Sequence, residues 1–152
     1  MRAWAYAYLL PERRSTSKAW IDGAPRLERL IVPPIYPLLA AIVKRSLKLG
    51  PNAIAEQRAI MQRTLTSVGE RLADGRRYLA GDSLTGADLA FVVLAAPAVL
   101  PSEYVGPLPT LAELPAPMRR EVEQIRLLPA GEFALRVYRE ERTSRPGAPA
   151  AR

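Results

Sequence analysis

Asp88 follows Thr85 by three residues and opens an apolar run, Leu89 to Leu100, that carries no charge. Of the 15 acidic residues it is the one that the pattern places in a core, and a buried carboxylic acid can serve as a general acid or base. Its position argues for another role. Thr85 is a favoured N-cap residue, and a carboxylate at the third helical position reaches back to the N-cap backbone N–H. There it also meets the positive end of the helix dipole, which favours the ionised form and lowers the pKa. A general acid needs the reverse. Leu84 and Leu89 occupy the N′ and N4 positions, where a hydrophobic staple fixes the angle of entry into the helix. The stretch is a structural signal, and no catalytic residue is assigned to it.

Other chemistry is sparse. The chain has no cysteine and no histidine, which removes thiolate nucleophiles, disulfides, Ser-His-Asp arrangements and the usual proton carrier near neutral pH. A metal site would have to be built from carboxylates alone, and none is expected. Gly81 and Gly86 are too few for a phosphate-binding loop and follow no strand. Glu121 with Glu123, and Glu140 with Glu141, are close pairs on helices whose members point to different faces; they read as solvated charge. Trp4 and Tyr8 stand four residues apart and share a helix face. The formal charge is +7, and the arginines are scattered as pairs (Arg13-Arg14, Arg76-Arg77, Arg119-Arg120) with no aromatic-interleaved patch. Attraction of small anions is expected, and nucleic-acid binding is not.

The elements that must position these residues are helices. Trp4 to Leu10 forms a short helix ended by Pro11, and Ser15 to Arg29 reads as a loop marked by Gly23 and Pro25. Pro34 to Pro37 can start a helix reaching about Leu49, with Gly50-Pro51 as its stop. After Pro51-Asn52, the spacing of Ile54, Met61, Leu65, Val68 and Leu72 makes one face of a helix closed by Gly75. The helix launched at Thr85 is apolar all round, predicting a buried central helix kinked at Pro97. Pro101 to Pro117 reads as a loop. Arg119 to Leu128 gives an amphipathic helix with Met118, Val122, Ile125 and Leu128 inward. A last helix follows Pro129, carrying Phe133, Leu135, Val137 and Tyr138. The fold class is all-α, about five to six helices around the central one. Residues 1–142 form the domain and 143–152 a Pro/Ala/Arg tail. No apolar run reaches the roughly 18 residues of a spanning helix, no secretory signal is evident, and a cytoplasmic protein without a membrane partner is expected.

Tyr78-Leu79-Ala80-Gly81-Asp82, then Leu84-Thr85-Gly86-Ala87-Asp88-Leu89, resembles the signature of the all-helical C-terminal domain of cytosolic glutathione transferases. Pro129-Ala130-Gly131 and Phe133-Ala134-Leu135-Arg136-Val137-Tyr138-Arg139 extend the similarity to bacterial members. The resemblance implies a hydrophobic cosubstrate wall on the first helix, at Trp4 and Tyr8, and subunit contacts within a homodimer. It also implies a partner, the thioredoxin-like domain that binds glutathione and supplies the catalytic hydroxyl or thiol, and no segment here resembles that domain. Glutathione is then a cosubstrate only where that domain is present; the chain alone is expected to bind no cofactor and to be inactive. The alternative is a free-standing helical module that binds a protein or an apolar ligand. Either way Thr85→Ala or Asp88→Ala should cost about 1–2 kcal/mol or more; unchanged urea midpoints would contradict the capping role.

Overall fold

The computed structural model describes residues 1–13, 16–17, 21, 25–106 and 108–143. Six α-helices are present among them: α1 (Arg2–Leu9), α2 (Arg26–Ser46), α3 (Ala53–Leu72), α4 (Gly86–Val99), α5 (Ala116–Arg126) and α6 (Pro129–Thr143), with one 3-10 turn, Leu111–Glu113. No strand occurs among the described residues; the single β-bridge joins Tyr78 to Gly81 across a tight turn. The all-α reading is therefore correct. The expected tail, 143–152, begins at Thr143, which is the last residue of α6; the rest of it lies outside the described residues, as does Gly23.

α4 is the centre. It packs against α5, α6 and α1, while α3 lies against α1 and α6. Phe91, Val92, Ala95, Ala96, Ala98 and Val99 are buried, joined in the core by Met61, Leu65, Met118, Val122, Ile125, Phe133 and Val137. The helix continues through Pro97. Proline has no N–H for the carbonyl one turn earlier, that of Val93, a residue on the exposed side of the helix. At the far end Leu100 takes a left-handed conformation (φ 47°) before Pro101. Arg126 closes the end from α5, its guanidinium donating to the carbonyls of Val99 and Leu100, both at 2.7 Å. These are acceptors that a helix end leaves without intrahelical donors.

Three expectations change. α4 is buried on one side only: Leu89, Val93 and Leu94 are 49, 58 and 63% exposed, because no described element covers that face. Leu128 is exposed instead of inward, lying past the end of α5. And α2 begins at Arg26, eight residues before Pro34, so Arg26–Arg29 are helical and Pro33, Pro34 and Pro37 lie inside the helix. Pro37 cannot donate to the carbonyl of Pro33, and the Arg13 guanidinium donates to that carbonyl at 2.8 Å. Buried Tyr36 fastens the same helix to α1 by donating its hydroxyl to the Leu10 carbonyl at 2.8 Å. The outer face keeps Ile31, Ile35, Leu38 and Ile42 exposed.

The junction of α5 and α6 depends on Gly131. A Cβ there would lie 1.9 Å from the Ile125 carbonyl oxygen, a backbone atom that cannot move aside without disturbing the end of α5. Gly131→Ala is expected to destabilise the protein by about 2–3 kcal/mol, read as a lower urea midpoint; an unchanged midpoint would contradict this account of the junction.

Candidate functional site

The Tyr78–Gly81 turn brings the chain out of α3 and into α4. Tyr78 N donates to the Gly81 carbonyl at 2.8 Å and Gly81 N returns the bond at 3.1 Å, with Gly81 at φ +128°, a conformation open to glycine. Tyr78 is buried, its hydroxyl donating to Glu141 at 2.6 Å, and the guanidinium groups of Arg77 and Arg136 lie 5.5 and 5.6 Å from its ring centre. The turn is thereby held to α6, and it presents the Leu79 N–H to Asp88.

Asp88 is fully buried. One carboxylate oxygen accepts from Leu79 N at 2.7 Å; the other accepts from Thr85 N at 2.7 Å and Thr85 Oγ1 at 2.6 Å. Thr85 and Asp88 form a capping box. Burial raises the Asp88 pKa, but the bonds from Thr85 and Leu79 outweigh it and hold the group below its ordinary value. Leu84 packs against the core, whereas Leu89 is half exposed.

A second acid, Glu121, reads in sequence as solvated charge, yet its side chain is only 14% exposed. Glu121 is instead the hub of a polar node joining α1, α3 and α5. It accepts from Trp4 Nε1 at 2.9 Å and Tyr8 OH at 2.5 Å, and it pairs with the Arg58 guanidinium, which also donates to Tyr8 OH at 3.0 Å. Burial raises the Glu121 pKa, and the Arg58, Tyr8 and Trp4 donors reverse that and lower it. Tyr8 moves up, through burial and then its bond to Glu121, so its hydroxyl stays a protonated donor. Trp4 and Tyr8 do share a face, edge to ring at 5.6 Å between centres. Trp4 is wholly buried behind Tyr8, so only Tyr8 reaches the surface. Spacing within α5 distinguished Glu121 from Glu123, but the helices that would enclose it lie more than 60 residues away in sequence. Thr110 with Glu113 repeats the box pattern at the 3-10 turn, Glu113 accepting from Thr110 N at 2.9 Å; its T-x-x-E spacing was a visible signal.

On the opposite side of α1, Tyr6, Ala7 and Leu10 line a cleft of about 320 Å³ closed by Ala40, Ala41 and Lys44 of α2, Leu49 to Pro51, and Ala53 and Ile54 of α3. The resemblance implies a cosubstrate wall on α1 at Trp4 and Tyr8, not here. No group of His, Cys, Asp or Glu able to hold a metal occurs among the described residues.

The described residues thus form an all-helical array whose central helix, uncharged after Asp88, starts at a Thr–Asp box and leaves one apolar face open. Residues 51–116, which span α3, the turn, the box and α4, match the family model of the glutathione S-transferase C-terminal domain. No curated protein and no solved structure matches the chain.

A carboxyl with a folded pKa below its unfolded one stabilises the protein above the unfolded value and ceases to do so as pH falls through the folded one. Asp88 and Glu121 both have lowered values, so urea midpoints should fall as the pH drops below about 4. Glu121→Gln should flatten that decline as well as lower the midpoint at neutral pH; a variant with the native pH profile would show that Glu121 does not contribute to it.

Proposed function

We propose that this domain acts as the cosubstrate-binding and subunit-contact half of a glutathione transferase, conjugating glutathione to an apolar electrophile together with a thioredoxin-like domain supplied from outside these residues. The observation that carries the reading is the open apolar face of α4. Leu89, Val93 and Leu94 are 49–63% exposed on the central helix, within the segment that matches the family model, and a second folded body covering them would remove that apolar surface from water. Tyr8 supplies the cosubstrate wall. Its ring is fixed from behind by Trp4 and through its hydroxyl by Glu121 and Arg58, so it offers a rigid aromatic surface rather than a reactive group. The glutathione thiolate is then stabilised by the thioredoxin-like domain, in a cytoplasmic setting where thiols stay reduced. Subunit contact in a homodimer falls to the outer face of α2, where Ile31, Ile35, Leu38 and Ile42 form an exposed stripe.

The second reading, a free-standing module for an apolar ligand, is favoured by the cleft between α1, α2 and α3. A fusion separates the two. With a glutathione transferase thioredoxin-like domain joined ahead of Met1, the protein should conjugate an electrophilic dinitrobenzene in a glutathione-dependent way, and Val93→Glu should abolish the gain. The chain alone should show no turnover and no retention on glutathione–agarose. A fusion that is retained on glutathione–agarose yet gives no turnover would overturn the transferase reading.

A further inference from the structure

We infer that Arg58 sets the substrate class of the Tyr8 wall: aromatic electrophiles that carry a carboxylate, the ring lying on Tyr8 and the carboxylate on the outer side of the Arg58 guanidinium. The inference rests on the transferase reading and deepens it, because it adds a charge-selecting group to a site otherwise defined by its apolar character.

Arg58 comes from α3 and turns one amino group inward. Its Nη2 donates to Tyr8 OH at 3.0 Å and to Glu121 Oε1. Glu121 is thereby complete, since Oε1 also accepts from Tyr8 and Oε2 accepts from Trp4. The Nε and Nη1 groups of Arg58 make no hydrogen bond among the described residues. Its side chain is 41% exposed, against 14% for Glu121. The ion pair is therefore lopsided: the negative member is covered by its donors, and the positive member meets solvent with N–H groups unspent. Tyr8 stands beside it, held by Trp4 and Glu121. A ring stacked on Tyr8 has a substituent at the hydroxyl end next to the guanidinium. Competing acids are set apart. The residues one turn either side of Arg58 on α3, and of Glu121 on α5, carry no charge. Glu56 is exposed two residues before Arg58, about 200° around the helix, and Glu12 is exposed beyond the end of α1. A carboxylate gains the modest attraction of a rim ion pair from such a cation; an isosteric carboxamide does not.

Nuclear magnetic resonance titration of the full chain with naphthalene-2-carboxylate and naphthalene-2-carboxamide tests the assignment. The carboxylate should bind about three- to fivefold more tightly than the amide. Arg58→Gln should equalise the two by weakening the carboxylate alone, and Tyr8→Ala should weaken both. Binding of neither ligand, equal affinities in the native chain, or a preference that survives in folded Arg58→Gln protein would each overturn the inference. If Arg58→Gln does not fold, the comparison of the two ligands on the native chain still decides. A second arm uses the fusion with 4-chloro-3-nitrobenzoate and its amide. There the glutathione sulfur bonds to the ring carbon as the carbon–chlorine bond breaks, chloride leaves and the thiol proton passes to solvent. Arg58→Gln should raise KM for the acid about three- to fivefold and leave kcat, and both constants for the amide, unchanged. Turnover of both substrates with no dependence on Arg58 would overturn the inference and leave the transferase reading standing. No turnover, with the carboxylate preference intact in the titration, would overturn the transferase reading and leave the anion selection by Arg58 standing.

Discussion

A carboxylate with no exposure to solvent must be supplied with donors by the protein itself, and in this domain Asp88 imposes that condition on everything around it. Burying an ionised acid without partners is far more costly than burying a neutral polar group. The three donors come from both sides of one turn: the backbone of Leu79 before it, and the backbone and hydroxyl of Thr85 after it. The carboxylate can therefore be satisfied only when the end of the α3–α4 connection and the first turn of α4 have both reached their native positions. The helix start, the turn and the packing of Tyr78 against α6 are thereby coupled to one charge. Mutual requirement of this kind favours a single arrangement over a set of near alternatives.

Glu121 solves a similar problem by a different route. Asp88 draws donors from residues within ten positions of itself, whereas Glu121 draws them from α1 and α3. The first is a local device that defines a helix start, and the second is a long-range one that fixes where two helices pass a third. Both carboxyls are held ionised by hydrogen bonds that outweigh burial. Tyr8, the aromatic residue that a functional reading of α1 selects, is drawn into the second network as a donor. Its orientation then depends on a salt-bridged acid, so the aromatic surface it presents is set by electrostatics as much as by packing.

What could be read in the sequence follows the same division between local and distant interactions. The box at Thr85 and Asp88, the face of α3 through Met61 and Leu65, and the inward set Met118, Val122 and Ile125 all rest on contacts or spacings within a few turns, and they were legible. Glu121 was not, because its environment is made by residues far away in the chain. The start of α2 was also missed. Three prolines argue against a continuous helix on local grounds, and what tolerates Pro37 is a guanidinium from Arg13, 20 residues distant from the carbonyl it reaches. The cleft was hidden for a related reason: periodicity assigns residues to faces of one helix, but a cavity is made where three helices fail to close.

The one-sided burial of α4 joins these observations into a single argument. Its sequence has almost no amphipathic asymmetry, since the stretch from Leu89 to Leu100 has no charged residue. A helix of that composition gains free energy from burial on every side. The described helices occupy the side that holds Val92, Ala95, Ala96 and Val99, where small side chains let α5 and α6 approach closely. The other side carries larger side chains, Leu89, Val93 and Leu94, that protrude instead of admitting a close neighbour. The inward face thus combines small residues with one large ring, Phe91, against Phe133 of α6, whereas the outward face keeps Leu89, Val93 and Leu94 in solvent. The Thr85–Asp88 box fixes the direction of this helix relative to the helices that cover its inward side.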